Sequence, residues 1–497
     1  MSLIEVKNLT FSYDGSYNNV FENVSFNIDT NWKLGLIGKN GKGKTTFLKI
    51  LAGRLKYLGI INKNVECDYF PFDVSDEEMY VIDIINTIVP NIEEWKIKKE
   101  FNLINLDSNI MYCVYKYLSG GEKVKVLLVS LFLRENNFLL IDEPTNHLDY
   151  YSKIEVEKYL KSKTSFIIVS HDRNLLDNVV DHIISINNNS IQIQAGNYSS
   201  WKENKQRMDN FEINKNEKLS KDIKRLEISQ KKTENWSFAV EKSKINSTNS
   251  GSKIDKGYVG HKSAKMMQTS KNIEKRKEQQ IEEKKGLLKE VDKEEPLVMK
   301  PLKFNKKELI IAKDLQIEYN GKKILEKLNF TICVGDRVAL VGKNGSGKSS
   351  LLKLILGENI DYTGKIQVAN EMSISYIYQN TDKLSGNLKD YCIENNIDES
   401  IFKAMLYKLG VKRNDFDTDI SNMSDGQKKK VLIAGSISKS ADLYIWDEPL
   451  NYIDVISREQ IEDMLLKYKP TIIFVEHDET FVEKIANKVI EIKKLID

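Results

Sequence analysis

The pattern of apolar and polar positions divides the chain into three stretches. In the outer two, short runs are apolar at every position and bounded by turn residues, as in Phe138–Ile141 and Phe166–Val169. Such runs predict parallel strands buried on both faces. Amphipathic helical stretches alternate with them, which predicts an α/β fold in each outer stretch. The middle stretch differs. From Trp201 to about Val240 there is no proline or glycine, and Leu219, Ile223 and Leu226 recur at i, i+4, i+7. Ala264 to about Val291 reads similarly, with Ile281, Leu288 and Val291 on one face. Between them lies KSKINSTNSGSKIDKGYVG, rich in Ser, Asn and Gly, which predicts a loop. The simplest arrangement is two antiparallel helices joined at a tip, and a 40-residue helix reaches about 60 Å.

The outer stretches are copies of one another. LIGKNGKGKTTFLKIL recurs as LVGKNGSGKSSLLKLI, YLSGGEKVKVLLVSL as NMSDGQKKKVLIAGS, FLLIDEPTNHLD as LYIWDEPLNYID, and FIIVSHD as IIFVEHD. Lys44 to Lys348 spans 304 residues, Ser119 to Ser424 and Asp142 to Asp447 both 305, and His171 to His477 306. Four unlike motifs at one offset indicate a tandem duplication. The predicted domains are residues 1–198, a linker 199–306 with its tip at about 242–263, and residues 307–497.

Charge sharpens the picture. The net charge of the 497-residue chain is +3, but residues 199–306 hold 27 Lys and Arg against 17 Asp and Glu. Within 242–277 the balance is 10 against 2. A basic middle on an otherwise acidic protein predicts a polyanion partner. No run of about 18 apolar residues predicts a membrane span, and the N-terminal sequence does not read as a secretory signal. Four dispersed cysteines fit reduced thiols and a cytoplasmic location, and the histidines form no zinc-ligand pair.

The chemistry lies in the repeated motifs. Gly38, Asn40, Gly41, Gly43, Lys44, Thr45 and Thr46 form one phosphate-binding loop, and Gly342, Asn344, Gly345, Gly347, Lys348, Ser349 and Ser350 the other. Glycines let backbone N–H groups face the phosphates, and the following helix aims its positive end at them. Lys44 and Lys348 reach the β- and γ-phosphates; Thr45 and Ser349 ligate Mg²⁺. Asp142 and Asp447, at strand ends, hold the same ion, while Glu143 and Glu448 activate the attacking water. His171 and His477 are placed to contact the γ-phosphate. ATP and Mg²⁺ are therefore the expected substrate and cofactor.

LSGGE (Leu118–Glu122) gives both repeats a resemblance to the ABC ATPases. The resemblance implies that each signature helix serves the nucleotide held by the other domain. Ser424 and Gly426 would then complete the site of Lys44, Asp142 and Glu143; Ser119, Gly120 and Gly121 would complete that of Lys348, Asp447 and Glu448. It also implies that Tyr13 and Tyr319 stack on adenine, though each could equally be a packed strand residue, and that Gln379 contacts Mg²⁺. Two departures predict unequal sites. Asp425 stands where the family has glycine, and repeat one reads CDYFPF with no glutamine.

Fusion of two ATPase domains through a basic linker resembles the ABC-F proteins, as do PTNHLD and GNYSSW at the linker's entry. The spacing between phosphate loop and signature leaves little room for an insertion in domain one, and the chain ends soon after His477. The segment GHKSAKMM resembles the tip of the antibiotic-resistance branch, of the Lsa-like type acting on lincosamides, streptogramin A and pleuromutilins. That implies a monomer with an intramolecular domain sandwich. It would enter the ribosomal tRNA exit site beside large-subunit proteins and push its tip toward P-site tRNA and 23S rRNA. Lys242, Lys244, Lys253, Lys256, Lys262 and Lys265 would neutralise phosphates. Tyr258 and His261 would stack on bases, and Met266 and Met267 offer adaptable apolar surface. The rivals are a housekeeping ABC-F translation factor and the ATPase subunit of a membrane transporter.

Overall fold

The computed structural model describes residues 3–13, 19–134, 137–146, 148–187, 190–245, 256–286, 295–319, 322–343, 345–382, 384–493 and 495. They divide into two units, Met1–Trp201 with Glu294–Asp497, and Lys202–Lys293.

Each repeat builds a sheet in the first unit. In repeat one the spatial order is Glu66–Phe70, Asn137–Asp142, Phe166–Val169, Lys33–Ile37, His182–Asn187 and Ser190–Ala195, parallel except for the last pair. In repeat two it is Ile374–Ile377, Leu443–Asp447, Ile472–Val475, Arg337–Val341 and Lys488–Glu491, all parallel. Leu443–Asp447 and Ile472–Val475 are buried at every residue, which is what an uninterrupted apolar run requires. Antiparallel sheets flank them: Phe21–Asp29, Leu3–Phe11 and Leu58–Asn62 in one repeat, and strands paired with Glu308–Tyr319 in the other.

Register fixes which residues correspond. Phe70 lies opposite Ile141, and Ile377 opposite Trp446. Ile141 and Trp446 each precede the strand-end aspartate, so Gln379, two residues after Ile377, corresponds to Phe72. Phe72 packs against the apolar core of repeat one. That core also takes in Val455 from repeat two, so the repeats share apolar contact as well as polar contacts.

The second unit contains most of the helix Tyr198–Ile245 and the helix Lys256–Gly286. Ile223 and Ile281 are buried, and Leu219 and Leu226 half-buried. Lys277 Nζ donates to the Ser229 carbonyl (3.1 Å) and hydroxyl (2.8 Å), and Lys284 pairs with Asp222 at 2.8 Å. Partner numbers fall on one helix as they rise on the other, so the pair is antiparallel. The loop expected over Lys242–Gly260 is a correction. Lys242–Ile245 continue the first helix, and Lys256–Gly260 open the second. Gly257 falls in its first turn, where backbone N–H groups have no intrahelical acceptor. Lys253, Leu288 and Val291 lie outside the described residues, as do the side chains of Lys242, Lys244, Lys256, Tyr258, His261, Lys262, Met266 and Met267; Lys265 is exposed. Among the described residues no helix is long and apolar enough to cross a membrane.

Candidate nucleotide sites

Each phosphate loop connects a buried central strand to a short helix, Lys44–Leu51 or Lys348–Ile355. Gly43 and Gly347 cap these helices at φ 91° and 93°, a left-handed conformation that favours glycine. A Cβ on Gly43 would lie 2.5 Å from Val20 Cγ1, so both conformation and space demand glycine there. Lys44 Nζ donates to the Gly38 carbonyl (2.8 Å) and Lys348 Nζ to the Gly342 carbonyl (2.8 Å), which holds both ammonium groups over their loops.

Two cavities open over these loops. The first, about 440 Å³, is lined by Tyr13, Gly41, Gly43, Lys44, Thr45, Thr46, Asp142, Glu143 and His171 from repeat one. Asn40 also lines it, while Ser424, Asp425, Gly426 and Tyr452 come from repeat two. Asn40 docks across: its N–H donates to Asp454 Oδ2 (3.2 Å) and its Nδ2 to the Tyr452 carbonyl (2.7 Å). Gly426 is buried against it, and a Cβ there would lie 2.6 Å from Asn40 Nδ2. The second cavity, about 380 Å³, is lined by Gly345, Gly347, Lys348, Ser349, Ser350, Gln379, Glu448 and His477, with Leu148 and Lys153 from repeat one.

Both signature helices begin with a capping box. Ser119 and Ser424 each accept from the backbone N–H three residues on, and Glu122 and Gln427 reach back to the cap N–H. Ser424 and Gly426 line the first cavity. Ser119, Gly120 and Gly121 are not among the described residues lining the second; Gly121 lies against Ser152 and Leu148 of its own repeat, and Leu148 does line that cavity. Repeat one also reaches the second site through Lys153, whose Nζ donates to the His477 carbonyl at 3.4 Å. Asp425 is among the residues that line the first cavity. Asn344 lies outside the described residues, as does the side chain of Tyr319. Tyr13 is half-exposed, with its hydroxyl 2.7 Å from Thr46 Oγ1.

Glu143 and Glu448 adopt φ 50° and 47°, a conformation that non-glycine residues avoid and that clusters at functional sites. Their surroundings differ. Both Glu143 oxygens are buried with no aligned donor among the described residues; His171 Nε2 is 3.0 Å from Oε1 but off the line of a hydrogen bond. Burial, aided by the Asp142 charge, pushes the Glu143 carboxyl up to about 8, and burial beside Lys44 drives His171 well below the usual histidine range. Glu448 accepts from Asn451 Nδ2 (2.7 Å) and from Gln379, with His477 Nε2 at 3.5 Å. His477 foremost, then Gln379 and Asn451, outweigh its burial and bring its carboxyl down to about 2.

The strand-end aspartates also differ. The Tyr69 hydroxyl donates to Asp142 Oδ2 at 2.9 Å. Asp447 accepts from Ser349, while its Oδ1 is buried without a partner among the described residues. A carboxylate with an orphaned oxygen beside a hydroxyl is an oxygen donor set that suits a hard divalent cation. Tyr69, Asn451, Tyr452, Lys153 and Asp454 were not singled out in the sequence. Asn146 and Asn451 recur in the two EP motifs and could have been.

The pattern of the family described as ABC transporter matches residues 21–146 and 325–451. ATP-binding protein Uup of Buchnera aphidicola (subsp. Acyrthosiphon pisum) is 31% identical, covering 98% of this chain and 80% of its own length. Ribosome protection protein VmlR of Bacillus subtilis is 28% identical over 97% and 86%. Erythromycin resistance ATP-binding protein MsrA of Staphylococcus epidermidis is 30% identical over 92% and 91%. Among solved structures, an archaeal ribosome recycling factor, aABCE1, in complex with the stalk protein aP1 superposes with a TM-score of 0.59 at 20% identity, covering 97% and 87%. With two domain matches in one chain and relatives that run nearly its full length, this protein belongs to the ABC ATPase family, in its ABC-F group.

Proposed function

We propose that the chain is an ATP-driven ribosome factor of the cytoplasm that displaces antibiotics from the peptidyl-transferase region. The observation that carries the switch is the first cavity, where the loop of one repeat and the signature helix of the other line one space. ATP bound there holds the repeats together; hydrolysis releases them. Lys44 and Lys348 bind the phosphates. Glu143 and Glu448 orient the water, and His171 and His477 fix the glutamates and the γ-phosphate. Thr45 and Asp142, or Ser349, Gln379 and Asp447, would hold Mg²⁺, which when bound would supply charge neutralisation for the phosphates.

The output belongs to the linker. Its basic surplus fits RNA, and the names of VmlR and MsrA associate two relatives with ribosome protection and with drug resistance. The tip, on this reading, shifts P-site tRNA and nearby 23S rRNA so that lincosamides, streptogramin A or pleuromutilins leave their pocket. The test is cell-free translation stalled by one drug of each class. Added protein restores synthesis; a variant with neutral residues at Lys242, Lys244, Lys253, Lys256, Tyr258, Lys262 and Lys265 does not. Failure of the unmodified chain to restore synthesis with every class would contradict drug displacement and favour a housekeeping translation factor.

A further inference from the structure

The helix Asp425–Ser438 carries two buried lysines in succession. Lys430 has a carboxylate partner, Asp454 Oδ2, at 2.8 Å. Lys429 has none within ion-pair distance among the described residues, although it is only 2% exposed. Its ammonium donates to two backbone carbonyls, that of Glu448 at 3.1 Å and that of Tyr378 at 3.3 Å. Tyr378 immediately precedes Gln379, and both Gln379 and Glu448 line the second cavity. The Glu448 carbonyl belongs to a residue held at φ 47°. One buried cation thus clasps the two turns that aim the polar side chains of site two. Burial holds the ammonium below the usual lysine range, and the Glu476, Glu448 and Asp447 carboxylates offset that only through space, without a contact pair, so an apolar side chain would fill this place with less desolvation. Repeat one has that alternative: the corresponding residue of its signature helix is Val124, half-buried against the core. The Lys429 helix starts at Ser424, which lines site one.

We propose that Lys429 is a positioning residue for hydrolysis at site two, holding the Glu448 and Gln379 turns to the helix that faces site one. This rests on reading both cavities as ATP sites. Lys429→Met keeps the length and apolar contacts of the side chain and removes its donors. In a Glu143→Gln chain, where site two alone turns over, it lowers kcat at least ~10-fold with KM for ATP within ~3-fold, as a misaligned base rather than a lost binding contact does. In a Glu448→Gln chain, where site one alone turns over, kcat stays within ~2-fold. The melting temperature stays within a few degrees of each parent, because relief of the buried charge offsets the two lost carbonyl bonds. In the Glu143→Gln, Glu448→Gln chain, the amount of radiolabelled ATP retained is the same with and without Lys429→Met. Equal losses in both backgrounds, no loss in the first, a larger fall in melting temperature or reduced ATP retention would overturn the role of Lys429. A parent chain that binds no ATP would overturn the reading of the cavities themselves.

Discussion

Glu143 and Glu448 have the same side chain, the same strand-to-turn context and the same unusual backbone, yet opposite electrostatics. Glu143 is buried beside Asp142 without an aligned donor, and its carboxyl rises to about 8; Glu448 has Asn451, Gln379 and His477 and falls to about 2. The consequences for stability have opposite signs. For Glu143, whose ordinary value is 4.5, the folded state binds the proton more tightly. Its contribution is fully present below that value and is lost as pH rises toward 8. For Glu448 the contribution is present above 4.5 and lost as pH falls toward 2. Thermal melts of the nucleotide-free protein from pH 2 to 8 check both. Glu143→Gln should match the parent near pH 4 and melt a few degrees higher at pH 8, whereas Glu448→Gln should melt a few degrees lower at pH 7 and converge with the parent near pH 2. The glutamates themselves were legible in the sequence because the DEP motif spells them out twice. Their inequality was legible only in part. The missing glutamine was visible, but the donors Asn451 and Tyr69 act across loops and strands whose proximity depends on sheet register.

The elements that present these residues follow local rules the sequence states openly. Apolar runs became central strands because both their faces are covered, one by helices and the other by the phosphate-loop helix with the antiparallel strands, and the two serines at signature-helix starts became capping boxes. Ser119→Ala and Ser424→Ala should each cost about 1 kcal/mol in chemical denaturation, since both lose the same cap. Ser424→Ala should also weaken ATP retention at the first site, because that helix start lines its cavity. The hairpin was legible as two helices but not in its ends. A Ser-, Asn- and Gly-rich string reads as loop, whereas the helices continue through Ile245 and resume at Lys256. Among the described residues, Ile223 and Ile281 are the buried apolar side chains of the hairpin. Ile281→Asp should therefore abolish amide protection around Asp222–Ser229 in hydrogen exchange and leave the protection of Leu443–Asp447 intact. Loss of protection in both segments would mean that the hairpin is not an independent unit.

At the scale of the molecule, the repeats meet through a few polar contacts that the sequence alone could not pair. Arg173, next to the His171 motif, is clasped by Glu462, with Glu459 at 3.7 Å and Asp478 at 4.0 Å, and Glu459 accepts from Tyr198 at the head of the linker helix. Glu462 is nearly inaccessible, and Lys484 remains its other cation at 3.4 Å. Arg173→Met should destabilise the fold by on the order of 3 kcal/mol in chemical denaturation, because a buried carboxylate loses its main partner. Pairings of this kind join residues nearly 300 positions apart, which is why the offsets of the repeats revealed two domains but not how their surfaces interlock. The central claim is that nucleotide clamped between the repeats is what commits the chain to the ribosome. Sedimentation of the Glu143→Gln, Glu448→Gln chain with ribosomes tests it most directly. With ATP the protein should pellet with ribosomes, and with ADP it should remain in the supernatant. Equal partitioning under ATP and ADP, or no pelleting with either, would contradict the account.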